Sequence, residues 1–215
     1  MLRPSRLALA VLATLAILTA RPLAAAAAAI DFVPFVGVLQ PVESQVNDGS
    51  FPIVFEIGSA AAYGARAGWW FNNRFGLEAS VTTAGTDLTI SGGGGILTSS
   101  GTWLATDARA RVRLMGGDSP MALDLLGGVG YTTTYWGLDD ILAEAGLDTE
   151  SRVTWILGLG TTVPVGSLGL RFEFEDHIHD SNFEADQTVT AIQVDDRTQH
   201  DLVFSLGLVV PLKGR

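Results

Sequence analysis

In residues 168–176 the even positions are Leu168, Leu170, Phe172 and Phe174, while the odd positions are Gly169, Arg171, Glu173 and Glu175. A side-chain period of two, apolar on one face and polar on the other, is a β-strand lying between two unlike environments. The same rhythm runs through 31–39, 60–71, 75–84, 102–114, 121–136, 151–165 and 198–212, which predicts eight strands. Beyond the N-terminal region no segment holds 18 uninterrupted apolar residues, so a membrane span in this chain would be built from strands rather than helices.

The connections alternate in length. Residues 40–59, 85–101, 137–150 and 179–197 are long, whereas 72–74, 115–120 and 166–167 are short, and a barrel in a membrane has tight turns on one rim and extended loops on the other. Asn72-Asn73, the 116–120 segment GGDSP and Gly166-Ser167 are turn formers. The glycines at 92–95 predict a loop tip; no helix or lysine follows them, so they do not form a phosphate-binding loop. Residues 138–147 predict a short helical turn in the third loop. The expected fold is all-β, an eight-stranded antiparallel up-and-down transmembrane β-barrel.

Parity then divides each strand into two faces. The face predicted to look inward carries Arg66, Glu78, Asp107, Arg109, Arg111, Arg113, Asp124, Arg171, Glu173, Glu175 and Asp201, interleaved with Gly64, Gly68, Gly128, Gly130, Gly158 and Gly160. Five arginines against six acids suggest a salt-bridged, plugged lumen, because buried charges persist when paired and an eight-stranded barrel has little more interior than its side chains fill. Glycine on a solvated strand face weakens the strand for no return, while in a narrow barrel it makes room for large charged neighbours. That argues against a soluble lipocalin-like periplasmic binding barrel. A wide porin channel is not expected; a narrow channel is the remaining transport alternative. Trp69, Phe71 and Phe75 flank the first short turn, and Trp103, Tyr135, Trp136 and Trp155 sit beside long loops, so these seven are expected to form two membrane-interface girdles.

Arg3 and Arg6, the apolar run at 7–20, Pro22 and the alanines at 24–29 have the form of a secretory signal peptide, dividing the chain into an export signal at 1–29 and a barrel domain at 30–215. The absence of cysteine excludes disulfides, thiol catalysis and an N-terminal lipid anchor on cysteine. With 13 basic and 23 acidic residues the net charge is −10, a poor basis for binding nucleic acid. No cofactor motif is present, and none is expected.

Tyr63-Gly64-Ala65-Arg66-Ala67-Gly68-Trp69-Trp70-Phe71 followed by Arg74-Phe75-Gly76-Leu77-Glu78 resembles the second and third strands of small outer-membrane β-barrels, the group of the OmpA transmembrane domain and OmpX. The 123–131 segment, Leu168-Gly169-Leu170-Arg171-Phe172-Glu173 and Gln199-His200-Asp201-Leu202 share that similarity, which covers nearly all of the chain after the signal. The resemblance implies an outer-membrane location after export, contact with membrane lipid and lipopolysaccharide, and folding by the barrel assembly machinery. It carries no catalytic assignment. A structural or surface-interaction role in the envelope follows, with any further partner meeting the loops.

Two rival chemistries use the histidines. His177, His179 and His200 lie near one rim, and with Asp176, Asp180 or Glu184 they supply donors suited to a metal. His179-Asp180-Ser181-Asn182 resembles the active-site motif of the PagL family of lipid A deacylases, which implies Ser181 as nucleophile and His179 as base, with Glu184 as the orienting acid. The Asn-x-Gly segment that follows the motif in that family is missing here. The acidic third loop, with Asp139, Asp140, Glu144, Asp148 and Glu150, offers carboxylates to divalent cations but is expected to be a solvated charged loop.

Overall fold

Alternating side chains and tight turns combine into long antiparallel strands in a computed structural model that describes residues 29–42, 47–48, 51–52, 54–92, 95–115, 121–137, 149–181 and 197–213. Eight strands make the barrel: β1 (Ala29–Val42), β5 (Ala60–Trp70), β6 (Phe75–Gly92), β7 (Gly95–Met115), β8 (Ala122–Trp136), β9 (Thr149–Val165), β10 (Leu168–Ser181) and β11 (Arg197–Lys213). Three short strands lie between the first two of these: β2 (Asn47–Asp48) and β3 (Phe51–Pro52) pair with each other, and β4 (Val54–Ile57) pairs with the far end of β6. Around the sheet the order is β6, β5, β1, β11, β10, β9, β8, β7, and pairing of β7 with β6 closes it.

Closure fixes the geometry. From Val42 the paired residues run His200, Ile178, Trp155, Val129, Ala108, Ala79 and Ala67, then return to β1 at Phe32, ten residues below the start. A stagger of ten over eight strands, at the usual strand spacings, tilts the strands by about 40° and gives a wall radius of about 8 Å.

The turns follow from their residues. Asn72 Oδ1 accepts hydrogen bonds from the backbone N–H of Arg74 at 2.7 Å and of Phe75 at 2.8 Å, which shapes the 71–74 turn. Gly166 adopts φ 62°, a conformation the β9–β10 turn requires and glycine supplies without strain.

The structure departs from the sequence expectation at the third connection. Residues 85–92 and 95–101 are strand rather than loop: β6 and β7 stay paired from Gly85↔Thr102 to Gly92↔Gly95. Thr86, Thr89, Ile90, Ile96, Thr98 and Thr102 are β-branched and continue the alternation, so strand formation extends until the glycines break it. The predicted helical turn at 138–147 lies outside the described residues. So do residues 1–28, which hold most of the predicted export signal; Ala29 already pairs with Trp70 as the first residue of β1.

Candidate functional site

The lumen is where the polar faces of all eight strands meet, and it is built in layers. At the short-turn end Trp70 Nε1 donates to Asp31 Oδ2 at 2.9 Å, and the Arg113 guanidinium lies 4.2 Å over the Trp70 ring while its Nε donates to Asp124 Oδ1 at 2.9 Å. Arg111 then links three acids, donating to Asp124 at 3.1 Å, to Glu78 at 3.1 Å and to Glu173. Glu78 also accepts from Arg171 at 2.7 Å. Arg66 donates to Glu175 at 2.6 Å and Ser205 at 3.0 Å, pairs with Glu173 at 2.9 Å, and stacks 3.6 Å from the Phe35 ring centre. Arg109 holds Asp107 at 2.7 Å and Glu175 at 2.8 Å.

Glycines make this density fit. At Gly160 a methyl group would sit 3.0 Å from the Glu173 Cγ and 3.1 Å from Arg111 Nη2. Neighbouring strands must leave those positions empty for the guanidinium groups to reach their acids. The pairing is reciprocal, which is the condition for burying so many charges.

Toward the long-loop rim the polar layer gives way to an apolar one. Leu39 pairs with Ala60 and Val203, and Ala84 with Ala62 and Trp103, so Leu39, Ala60, Ala62, Ala84, Trp103, Ala105 and Val203 form one buried cluster across five adjacent strands. His177, fully buried, stands on the opposite strand, with Nε2 3.1 Å from Glu175 Oε2 and its ring edge-on to Trp103 at 5.5 Å. Beyond this layer a second polar group begins: Asp201 Oδ2 accepts from Trp103 Nε1 at 3.1 Å and from His179 Nε2 at 3.0 Å. Arg152 reaches His179 Nδ1 and Gln199 Oε1, each at 3.2 Å. Pro41, Thr132, Thr134 and Trp136 line the space around them, which leaves the centre of a water molecule only about 20 Å³.

All eleven charges expected in the lumen face inward. Ten are exposed by 8% or less; the Arg113 side chain, near the rim, is 12% exposed. Asp201 stands apart from the others, across the apolar layer. Asp31, Trp70, Arg152, His177, His179 and Gln199 were missing from the expected lumen set, although each shares the parity of inward neighbours on its strand.

Two girdle assignments are corrected. Trp103 and Trp136 are 3% and 7% exposed and point into the lumen, because Trp103 shares its parity with Asp107 to Arg111 and Trp136 with Asp124. Trp69 at 50%, Tyr135 at 47% and Trp155 at 63% face outward, as does Tyr131 at 53%, while Phe71 and Phe75 are half-buried. The histidine metal set is also corrected. His177 pairs with Asp201 and His200 with Ile178, so His177 and His179 point inward and His200 outward on opposite sides of the wall. Among the described residues no three metal-ligating side chains gather. Ser181 is the last residue of β10, Glu184 lies outside the described residues, and the acid on His179 is Asp201. Of the acidic third loop, Asp139, Asp140, Glu144 and Asp148 lie outside them as well.

The outer face is the reverse of the lumen. Val36, Tyr63, Leu77, Val129, Leu157, Leu159, Phe172, Phe204 and Leu206 are between 39% and 63% exposed. Exposed apolar surface of this extent around a closed barrel is a lipid-facing belt, not the skin of a water-soluble domain.

These features define the class: a small eight-stranded barrel with the architecture of outer-membrane barrels. No protein-family model matches the chain, and no curated protein matches its sequence. Solved structures match in fold. OprG, an outer membrane protein of Pseudomonas aeruginosa, aligns over 86% of this chain and 97% of its own at 14% identity, with a TM-score of 0.55. Outer membrane protein W of E. coli aligns over 83% and 96% at 17% identity and TM-score 0.45. Ail, the attachment invasion locus protein of Yersinia pestis, aligns over 85% and 97% at 13% identity and TM-score 0.44.

Proposed function

We propose that this protein is an integral outer-membrane barrel, delivered by an N-terminal export signal, whose lumen is plugged and whose role is structural or surface-interactive. The observation that carries the reading is the opposition of faces: a charge network buried and mutually paired inside, and an apolar belt outside. Lipid and lipopolysaccharide meet the belt, the barrel assembly machinery folds it, and the long-loop rim is where other partners meet the protein. Heat-modifiable migration of the membrane-fraction protein tests this. Unboiled and boiled samples should run differently; identical migration together with recovery in the soluble fraction overturns the barrel. Liposomes carrying the folded protein should swell no faster in small sugars than empty ones, and rapid swelling overturns the plugged lumen.

In this reading the chain is not a lipid A deacylase. A nucleophilic serine needs the histidine nitrogen that its acid does not use, and His179 Nδ1 lies 3.2 Å from Arg152 Nη1. Mass spectrometry should find the same lipid A acylation with wild type, with Ser181→Ala and without the protein.

A further inference from the structure

Two polar networks fill the lumen, and one apolar layer keeps them apart. His177 is the ionisable side chain that crosses it. On β10 it stands two residues from Glu175, in the lower network, and two from His179, in the upper one, and all three side chains are buried inward. Leu39, Ala62, Ala84, Ala105 and Val203 carry the layer around the wall, and Ile156, the β9 partner of His177, is buried beside it. An apolar constriction of this kind shuts a pore by expelling its water. Below it, Ser80 Oγ, Thr82 Oγ1 and the Nε atoms of Arg66 and Arg171 have no protein partner, positions where water completes the bonding. The apolar layer is the dry segment.

The imidazole is bonded on one side. Nε2 lies 3.1 Å from Glu175 Oε2, whereas Nδ1 is buried with no hydrogen-bond partner among the described residues. As a neutral ring His177 donates from Nε2 to the carboxylate and presents only a lone pair at Nδ1 to the apolar layer. As imidazolium it carries a second N–H, which needs an acceptor and finds none there. A charged donor left unpaired in an apolar layer is strongly disfavoured, so the proton enters together with water. Between the levels of Glu175 and His179 the strand rises about 7 Å, a gap that about two water molecules bridge.

The surrounding charges leave room for that proton. Facing His177 are Glu175 and His179 on its own strand, Asp201 on β11, and Asp107 and Arg109 on β7, while Arg66 reaches Glu175 from β5. The neighbouring inward residues of β9, β8, β6 and β1, among them Ile156, Gly130, Thr82 and Leu39, carry no charge. His200, the third histidine, faces outward with Nδ1 on Asp176 Oδ2 at 2.8 Å. Asp31 and Arg152 bring the lumen charges to seven acids and six arginines among the described residues, so one imidazolium makes the interior neutral.

We propose that His177 is a proton-operated gate for water. With the ring neutral the apolar layer is dry and the lumen shut; with the ring protonated, water enters at Nδ1, joins the two polar networks and forms a continuous file between the rims. The plugged lumen is the neutral state of this gate, and the proposal rests on the barrel lying in a membrane.

The test is stopped-flow shrinkage of proteoliposomes under a sucrose gradient, with the same buffer inside and out and empty vesicles subtracted. A histidine titrating in its ordinary range gains about thirtyfold in protonated fraction between about pH 8 and about pH 5.5, and the protein-dependent water permeability of wild type should rise by a similar factor. His177→Phe should abolish the rise, and His179→Gln and His200→Gln should keep it. Leu39→Asn, which places an amide in the apolar layer, should be permeable at both pH values. Where His177→Phe does not give a heat-modifiable barrel, His177→Gln, which still donates to Glu175, takes its place with the same expectation. Equal low permeability of wild type at both pH values, a rise that survives loss of His177 or disappears with His179→Gln, or a tight Leu39→Asn barrel overturns the gate. High permeability of wild type at both values overturns the plugged lumen with it, and loss of heat-modifiable migration in wild type counts against the membrane barrel itself.

Discussion

The two faces of β10 solve opposite problems within one strand. Inward, Arg171, Glu173, Glu175 and His177 are at most 4% exposed, and each touches a partner on another strand, for His177 the Trp103 ring. Outward, Phe172 and Phe174 are 46% and 38% exposed and need only a solvent that tolerates them. The lumen is therefore specified residue by residue, and the wall by class of side chain. Substitution should cost a lost partner on the inside and a mismatched solvent on the outside, which gives the two faces different rules for which changes are severe.

The largest effect should come from breaking the lumen. Glu78 holds Arg171 at 2.7 Å and Arg111 at 3.1 Å, so Glu78→Ala leaves two buried guanidinium groups short of an acid. A cost of about 3–5 kcal/mol follows, read from the denaturant midpoint for unfolding in lipid vesicles. A loss below about 1 kcal/mol would mean that the lumen is wet enough to solvate both arginines and that the faces differ less than claimed. On the wall the dependence should be on depth. Leu159, in the middle of the outward series of β9, should cost about 2–4 kcal/mol as Leu159→Arg, while Val153→Arg, beyond Trp155, should cost about 0–1 because its side chain reaches the interface.

Adjacent glycines on β8 allow a closer comparison. A methyl group on Gly128 would lie 2.7 Å from Arg109 Cα and Cβ, whereas on Gly127 its nearest neighbour is Leu157 Cδ2 at 3.6 Å. Gly128→Ala should destabilise by about 1–3 kcal/mol through overpacking. Gly127→Ala should fall near zero or stabilise slightly, since the loss of chain freedom on folding shrinks with no clash to offset it. Equal effects at the two positions would remove parity as the governing variable.

Parity was also what made the fold legible. Strand number, the short turns at 72–74 and 166–167 and the inward placement of Arg66 through Asp201 follow from local sequence, because a side chain's face depends only on its own strand. What required register was hidden. Whether His200 meets His177 or Asp176 depends on how β10 and β11 align across a connection of fifteen or so residues, and local pattern carries no measure of that offset. Trp103 and Trp136 were misplaced for a different reason: position near a strand end was weighed above parity, although a lumen that narrows to alanines beside them has room for indole rings. The β6–β7 extension was obscured by threonine, a residue that reads as loop by polarity and as strand by branching.

The smallest change tests the comparison with little effect on the stability of the outer face. Tryptophan fluorescence in vesicles of brominated lipid reports contact with chains at a chosen depth. Trp155 and Trp69, at 63% and 50% exposure, face the lipid, while Trp70, Trp103 and Trp136, at 4%, 3% and 7%, are screened by the wall. Trp155→Phe should therefore remove much of the quenching by lipid brominated near the headgroup on the long-loop side, and Trp69→Phe the corresponding share near the short turns. Trp103→Phe should leave the quenched amplitude almost unchanged while lowering the unquenched signal, at the additional cost of the hydrogen bond to Asp201. An intermediate outcome is informative too: quenching of Trp136 with Trp103 protected would put the boundary between lipid and lumen at the level of Gly101, where Trp136 pairs with β7. If Trp103 and Trp155 are quenched alike, the rings lie on the same side of the wall, and the division between a specified interior and a tolerant exterior fails at the residue where sequence position and strand parity disagree most sharply.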